Sequence, residues 1–175
     1  REEASKASGT QPGADQTGGV LSVFRYSRPA FGLRVRVEAV QPQIEAVVRN
    51  QFRVGSEQVS LSATLDYSIK RVGVFTLGLT LPEGYRVESV AGTNVLQWIE
   101  RAESGAPRRL EIALKERTSG AYGLRLELAK PVKELPKRLA LAGVHPLDTA
   151  KLTGFIAVSA EPGVAVKTES FDGLT

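Results

Sequence analysis

VSLSATLDYSIK (residues 59–70) decides the fold class. Val59, Leu61, Ala63, Leu65, Tyr67 and Ile69 alternate with Ser60, Ser62, Thr64, Asp66, Ser68 and Lys70 through twelve residues without a fault. On a helix these apolar positions would scatter around the circumference. On a strand they fall on one face, so the stretch predicts a strand with one dry and one wet side. That asymmetry favours an antiparallel sheet over a parallel sheet covered on both faces.

The same period recurs on both sides of this strand. Downstream, VFTLGLTLP (74–82) puts Phe75, Leu77, Leu79 and Leu81 in one row, closed by Pro82-Glu83-Gly84. Tyr85 and Val87 begin a further strand, and residues 95–100 form a short one around Trp98. AESGAPRR (102–109) reads as a hairpin-like loop. Leu110, Ile112 and Leu114, then Tyr122, Leu124, Leu126 and Leu128, read as two strands paired as a hairpin across Thr118-Ser119-Gly120.

Upstream, VLSVFRY (20–26) and the alternating Leu33, Val35, Val37 and Ala39 read as strands, and Ile44, Ala46 and Val48 continue the pattern after Gln41-Pro42-Gln43. Residues 130–146 hold Pro131, Pro136 and Pro146 and read as a long connection. GFIAVSA (154–160) and VAVKT (164–168) end the series. The expectation is an all-β, antiparallel β-sandwich of about ten to twelve strands occupying residues 20–175. Leu61, Leu65, Leu77, Leu79, Leu110, Ile112, Leu114 and Leu126 are expected to point inward. Residues 1–19 contain no aromatic residue and no Val, Ile or Leu. They cannot bury enough apolar surface to offset ordering and are expected to form a flexible tail or linker.

The composition narrows the chemistry. The 175-residue chain has no cysteine, which excludes disulfides, thiolate catalysis and cysteine-ligated metals. Its one histidine, His145, excludes a two-histidine metal site and lies between Val144 and Pro146 in the proline-rich connection. No G-x-S-x-G elbow, phosphate loop or calcium loop is present. Glu38, Glu45, Asp66, Glu111 and Glu127 are accounted for as the wet partners of alternating strands. No catalytic residue, cofactor or metal site is therefore expected.

Net charge is +4, from 23 Lys and Arg against 19 Asp and Glu. So mild an excess makes nucleic acid an unexpected partner. No apolar run approaches the roughly 18–20 residues that span a bilayer. Two features could contact a ligand. Arg34 and Arg36 share a face of one predicted strand, where charge also protects a sheet edge. Trp98 could stack on a sugar ring, although a single Trp in a strand is expected to be core.

Residues 59–98 resemble segments in β-sandwich modules of large uncharacterised bacterial envelope proteins. The resemblance rests on the alternating strand, the Leu81-Pro82-Glu83-Gly84 turn, Val87 to Gly92, and Trp98. Gly120-Ala121-Tyr122 and residues 152–158 fit the same pattern. It implies a periplasmic or extracellular setting and a modular context. The functional expectation is a non-catalytic structural or protein-interaction module of a larger extracytoplasmic protein, with other protein domains as partners. The alternative is a carbohydrate-binding module that takes polysaccharide.

Overall fold

The structure is a computed structural model and describes residues 22–102 and 105–174. The tail expected over residues 1–19 lies outside them. The chain divides into two units, Arg1–Ala39 and Val40–Thr175.

All strands among the described residues belong to the second unit. They are β1 (Gln43–Val54), β2 (Gln58–Thr80), β3 (Arg86–Gly92), β4 (Val95–Arg101), β5 (Arg109–Pro131), β6 (His145–Pro146) and β7 (Lys151–Ala160). No helix occurs among the described residues. The seven strands form one hydrogen-bonded sheet with the order β3-β5-β2-β1-β7, with β4 paired to β5 and β6 to β2. The sheet is mixed: β1 and β7 run parallel, and every other pair is antiparallel.

The strand count falls below the expected ten to twelve because pairs of expected strands are halves of longer ones. β2 and β5 each run for 23 residues and pair along most of their length. The first half of β2 lies against the second half of β5, with Leu61 opposite Leu128. The second half of β2 lies against the first half of β5, with Leu77 opposite Ile112. The hairpin expected between 110–114 and 122–128 therefore does not form. Thr118-Ser119-Gly120 is a bend within one strand. The register slips near Ile69 and Val74, where Arg71 has a φ of 67° and Gly120 a φ of 80°. Turn residues at these points kink a continuing ladder instead of reversing the chain.

Alternation holds across the kink. Leu61, Leu65, Leu126, Leu77, Leu79, Leu110, Ile112 and Leu114 are all buried, as expected, and belong to a single core cluster drawn from both halves of the ribbon. Phe75 departs from its expected apolar row. It sits at the kink, where the slip turns it outward, and the Arg117 guanidinium lies 5.7 Å from its ring centre. The Pro82-Glu83-Gly84 turn and the β4–β5 hairpin match expectation, whereas the connection expected over 130–146 is strandless only over 132–144, its ends belonging to β5 and β6.

Three expected strands are absent, and the first is the one expected over 20–26, whose described residues 22–26 are exposed and lack strand structure. Leu33, Val35 and Val37 are exposed, and residues 30–42 have no sheet partner among the described residues. Alternation supplies a face but no partner: β1, the next strand in sequence, has β2 on one edge and β7 on the other. Residues 164–168 are also not a strand. Val164 packs against the core while Val166 stays exposed, so the pattern is too short to hold a ladder.

Candidate functional site

A sheet has edges, and each edge presents unpaired backbone N–H and C=O groups that native proteins usually guard. Among the described residues the edges run along β3, β4, β6 and β7, with a further unpaired stretch at residues 71–78 of β2 where the register slips break the ladder, and all but β7 are guarded. β3 is interrupted by a bulge between Val87 and Ser89 and carries Arg86 and Glu88. β4 has a bulge between Val95 and Gln97, and its end is tied by Arg101–Glu111 (2.7 Å) and Arg108–Glu100 ion pairs. β6 is two residues long and ends in a proline.

β7 has none of these devices. It pairs with β1 in unbroken register from Glu45–Lys151 to Val54–Ala160. Its other edge has no partner among the described residues. KLTGFIAVSA contains no proline, and its one charge is Lys151, at its start. Both faces are open. Leu152, Ile156 and Val158 lie beside the buried Ala46, Asn50 and Phe52 of β1 and prolong the core row sideways, yet remain 44, 41 and 44% exposed. Phe155 is 56% exposed on the opposite face, beside Arg49. The strand is held from one side only. Ser159 Oγ donates to the Phe52 carbonyl (3.1 Å), and the Ala150 N–H to that of Ile44 (2.7 Å). This long, regular and apolar edge is where another extended chain can add, with main-chain hydrogen bonds for affinity and side-chain pockets for selectivity. The sequence reading identified the strand but not its edge position, because alternation carries no information about neighbours.

The outward faces of β1 and β2 show the opposite chemistry. Lys70 pairs with Glu45 at 2.8 Å, and Arg49 pairs with Asp66. The Lys70 hydrogen bond and charge hold the Glu45 carboxyl below its usual range, with Lys151 adding to the effect. A shallow depression beside them is lined by Glu45, Asp66, Ser68, Lys151 and Thr153, whose carboxylates are already matched by cations. No group of three or more His, Asp or Glu side chains among the described residues could hold a metal.

Of the sequence candidates, Arg34 and Arg36 belong to the first unit, in an exposed segment without strand structure. Arg36 pairs with Glu38 at 2.6 Å. Trp98 belongs to the second unit, on β4 opposite Ile112. The expectation that it is core is corrected: the residue is 37% exposed, near exposed Leu96 and Ile99. β4 lies at an edge, so neither of its faces is fully covered. His145 is exposed on β6, its backbone opposite Thr80.

Asn50 was missed. It occupies the apolar register of β1 between Val48 and Phe52 and is 3% exposed. Its Oδ1 accepts from the Val144 N–H (2.9 Å), and its Nδ2 donates to the Val144 carbonyl (3.4 Å). A polar residue at an inward position of a fault-free alternation was the available signal.

No helix among the described residues is long and apolar enough to cross a membrane. No family model and no curated protein matches the chain. Among solved structures, the M1 zinc metallopeptidase from Deinococcus radiodurans is similar at 20% identity and a TM-score of 0.41, over 58% of this chain and 24% of that one. A non-cellulosomal cohesin from the hyperthermophilic archaeon Archaeoglobus fulgidus is similar at 15% identity and a TM-score of 0.39, over 67% of this chain and 91% of that one. The chain thus spans about a quarter of the length of the metallopeptidase. At this distance neither likeness bears on activity.

Proposed function

We propose that the chain is a non-catalytic protein-interaction module that takes an extended segment of a partner along the free edge of β7. The observation that supports this is the contrast among the edges: β3, β4 and β6 are guarded by bulges, charge or brevity, and β7 is not. The reading includes closure of the single sheet as a sandwich. The buried residues of both halves of the β2–β5 ribbon lie on one face, and folding over that face covers them. It also includes the setting implied by the sequence resemblance, a module of a larger periplasmic or extracellular protein.

The test is titration of the chain with a short synthetic peptide of alternating valine and threonine, followed by amide chemical shifts. Changes centred on residues 151–160 are expected, and Ile156→Lys should remove them while leaving the core resonances in place. Changes centred elsewhere would count against the reading.

A second reading, carbohydrate binding, has one observation in its favour: the partly open Trp98 ring between Leu96 and Ile99. Its fluorescence should respond to polysaccharide if that reading holds.

A further inference from the structure

The first unit contains what the edge of β7 lacks. FGLRVRVEAV (31–40) has the period of a strand and no sheet partner among the described residues, and Leu33, Val35, Val37 and Val40 are exposed. We infer that residues 32–40 of one copy of this chain add as an antiparallel strand to the β7 edge of a second copy. The inference rests on the reading of β7 as a strand acceptor.

Matching the apolar rows fixes the register. With Val35 opposite Ile156, Leu33 faces Val158, Val37 lies over Gly154, and Ala39 faces Leu152. Large meets large at the first two positions. At the third, Val37 fills the space left by Gly154, where nothing approaches within 4 Å of an added Cβ. On the other face, Arg36 falls opposite Phe155, the geometry of a cation–π contact. Glu38 falls opposite Thr153 and diagonal to Lys151, within reach of a cross-strand ion pair. Charge and apolar rows are satisfied together, whereas a one-residue slip would place Arg34 and Arg36 on the apolar face.

The donor is a second copy because the connection is too short within one chain. In this register Val40 lies opposite Lys151, which itself pairs with Glu45 near the start of β1. Three residue steps from Val40 to Gln43 reach at most about 10–11 Å. Gln43 lies two strand spacings across and two residues beyond the level of Glu45, so the straight line is about 11–12 Å. That exceeds the reach, and the chain at Ala150, bonded to Ile44, lies in the path. A second copy has no such constraint. Each copy offers one donor and one acceptor, so the assembly is either a reciprocal dimer or a head-to-tail chain.

The chain has no cysteine, so introduced thiols react only with each other. The test mixes full-length Arg36→Cys with full-length Phe155→Cys under mild oxidation. A disulfide-linked pair joining the two variants is expected. Val35→Cys, on the opposite face of the donor, should link to Phe155→Cys at least about tenfold less. In sedimentation, Ile156→Lys and Val35→Lys should each weaken self-association by about tenfold or more, the scale of placing a charge against an apolar row. Three results would overturn the inference: no mixed disulfide, equal linkage by Val35→Cys, or a bond confined to single chains of the Arg36→Cys/Phe155→Cys double variant. A cysteine-bearing valine–threonine peptide separates the two levels. If it links to Phe155→Cys while Arg36→Cys does not, β7 remains an acceptor and only its own-chain donor is wrong. If neither links, both readings fall.

Discussion

Asn50 should be the most costly polar side chain in the core to remove. It is buried on the inward face of β1, and its two hydrogen bonds pin Val144, itself fully buried, just before β6. Asn50→Ala leaves the Val144 N–H and carbonyl without a side-chain partner. An unsatisfied buried backbone group costs about 1–3 kcal/mol. The N–H bond at 2.9 Å counts in full and the longer bond at 3.4 Å in part, giving about 2–4 kcal/mol. That is a large share of the 5–15 kcal/mol typical of a domain.

Gly143 offers an independent check on the same contact. A Cβ there would lie 2.4 Å from Asn50 Nδ2 and 2.6 Å from its Cγ. Gly143→Ala should therefore cost about 1–3 kcal/mol by overpacking. In an Asn50→Ala background the new methyl enters vacated space and should cost close to nothing, so the cycle is strongly non-additive. Equilibrium urea unfolding measures all three variants, with the midpoint falling at constant slope. Asn50→Asp adds a pH test. A buried carboxyl facing the Val144 carbonyl has a folded pKa above its unfolded value of about 4. Its stability is then greatest below the unfolded pKa and is lost as pH rises through the folded one. An additive cycle, or an Asn50→Ala cost below about 0.5 kcal/mol, would refute the pinning argument.

Further expectations concern the kink, the buried tyrosines and the tryptophan. Arg71, at a φ of 67°, should gain about 1 kcal/mol on replacement by glycine, while Gly120→Ala, at 80°, should lose a similar amount, both read by urea unfolding. Opposite signs are required, and a loss in both would show that Arg71 is held by contacts. The Tyr67 hydroxyl is buried without a hydrogen-bond partner among the described residues, and burial raises its pKa, with Tyr122 adding to the rise. Stability from this group is present below the unfolded value of about 10 and is lost as pH rises through the higher folded one. Tyr67→Phe should cost nothing at neutral pH and should soften the alkaline loss, as followed by circular dichroism. Trp98 fluorescence should be quenched by acrylamide in the native state. Protection equal to that of a core indole would contradict its exposure at the edge.

Much of the core was legible in the sequence because period two reports directly which face of a strand is dry. Leu61, Leu65, Leu77, Leu79, Leu110, Ile112, Leu114 and Leu126 follow from that rule alone. Which strand lies beside which was not legible. Thr118-Ser119-Gly120 looks like a chain reversal, yet a long ribbon uses the same residues to kink. Residues 33–39 alternate as cleanly as β7 does, but only β7 finds β1. The acceptor edge is a consequence of parallel pairing between strands about a hundred residues apart, and no local pattern encodes it. Trp98 was misjudged because composition favours a buried tryptophan, whereas its place on β4 depends on β5 ending the neighbouring ladder.

Amide hydrogen exchange along β7 tests the acceptor edge most directly. In the parallel pairing with β1, alternate residues of 151–160 point their N–H groups at β1 and the others point into open solvent. The account predicts slow exchange for the first set in the chain alone. The second set should exchange fast, and should become protected when the alternating valine–threonine peptide is added or when self-association is driven by concentration. Outward amides already slow in the dilute, unassembled chain, or still fast with the peptide bound, would contradict it.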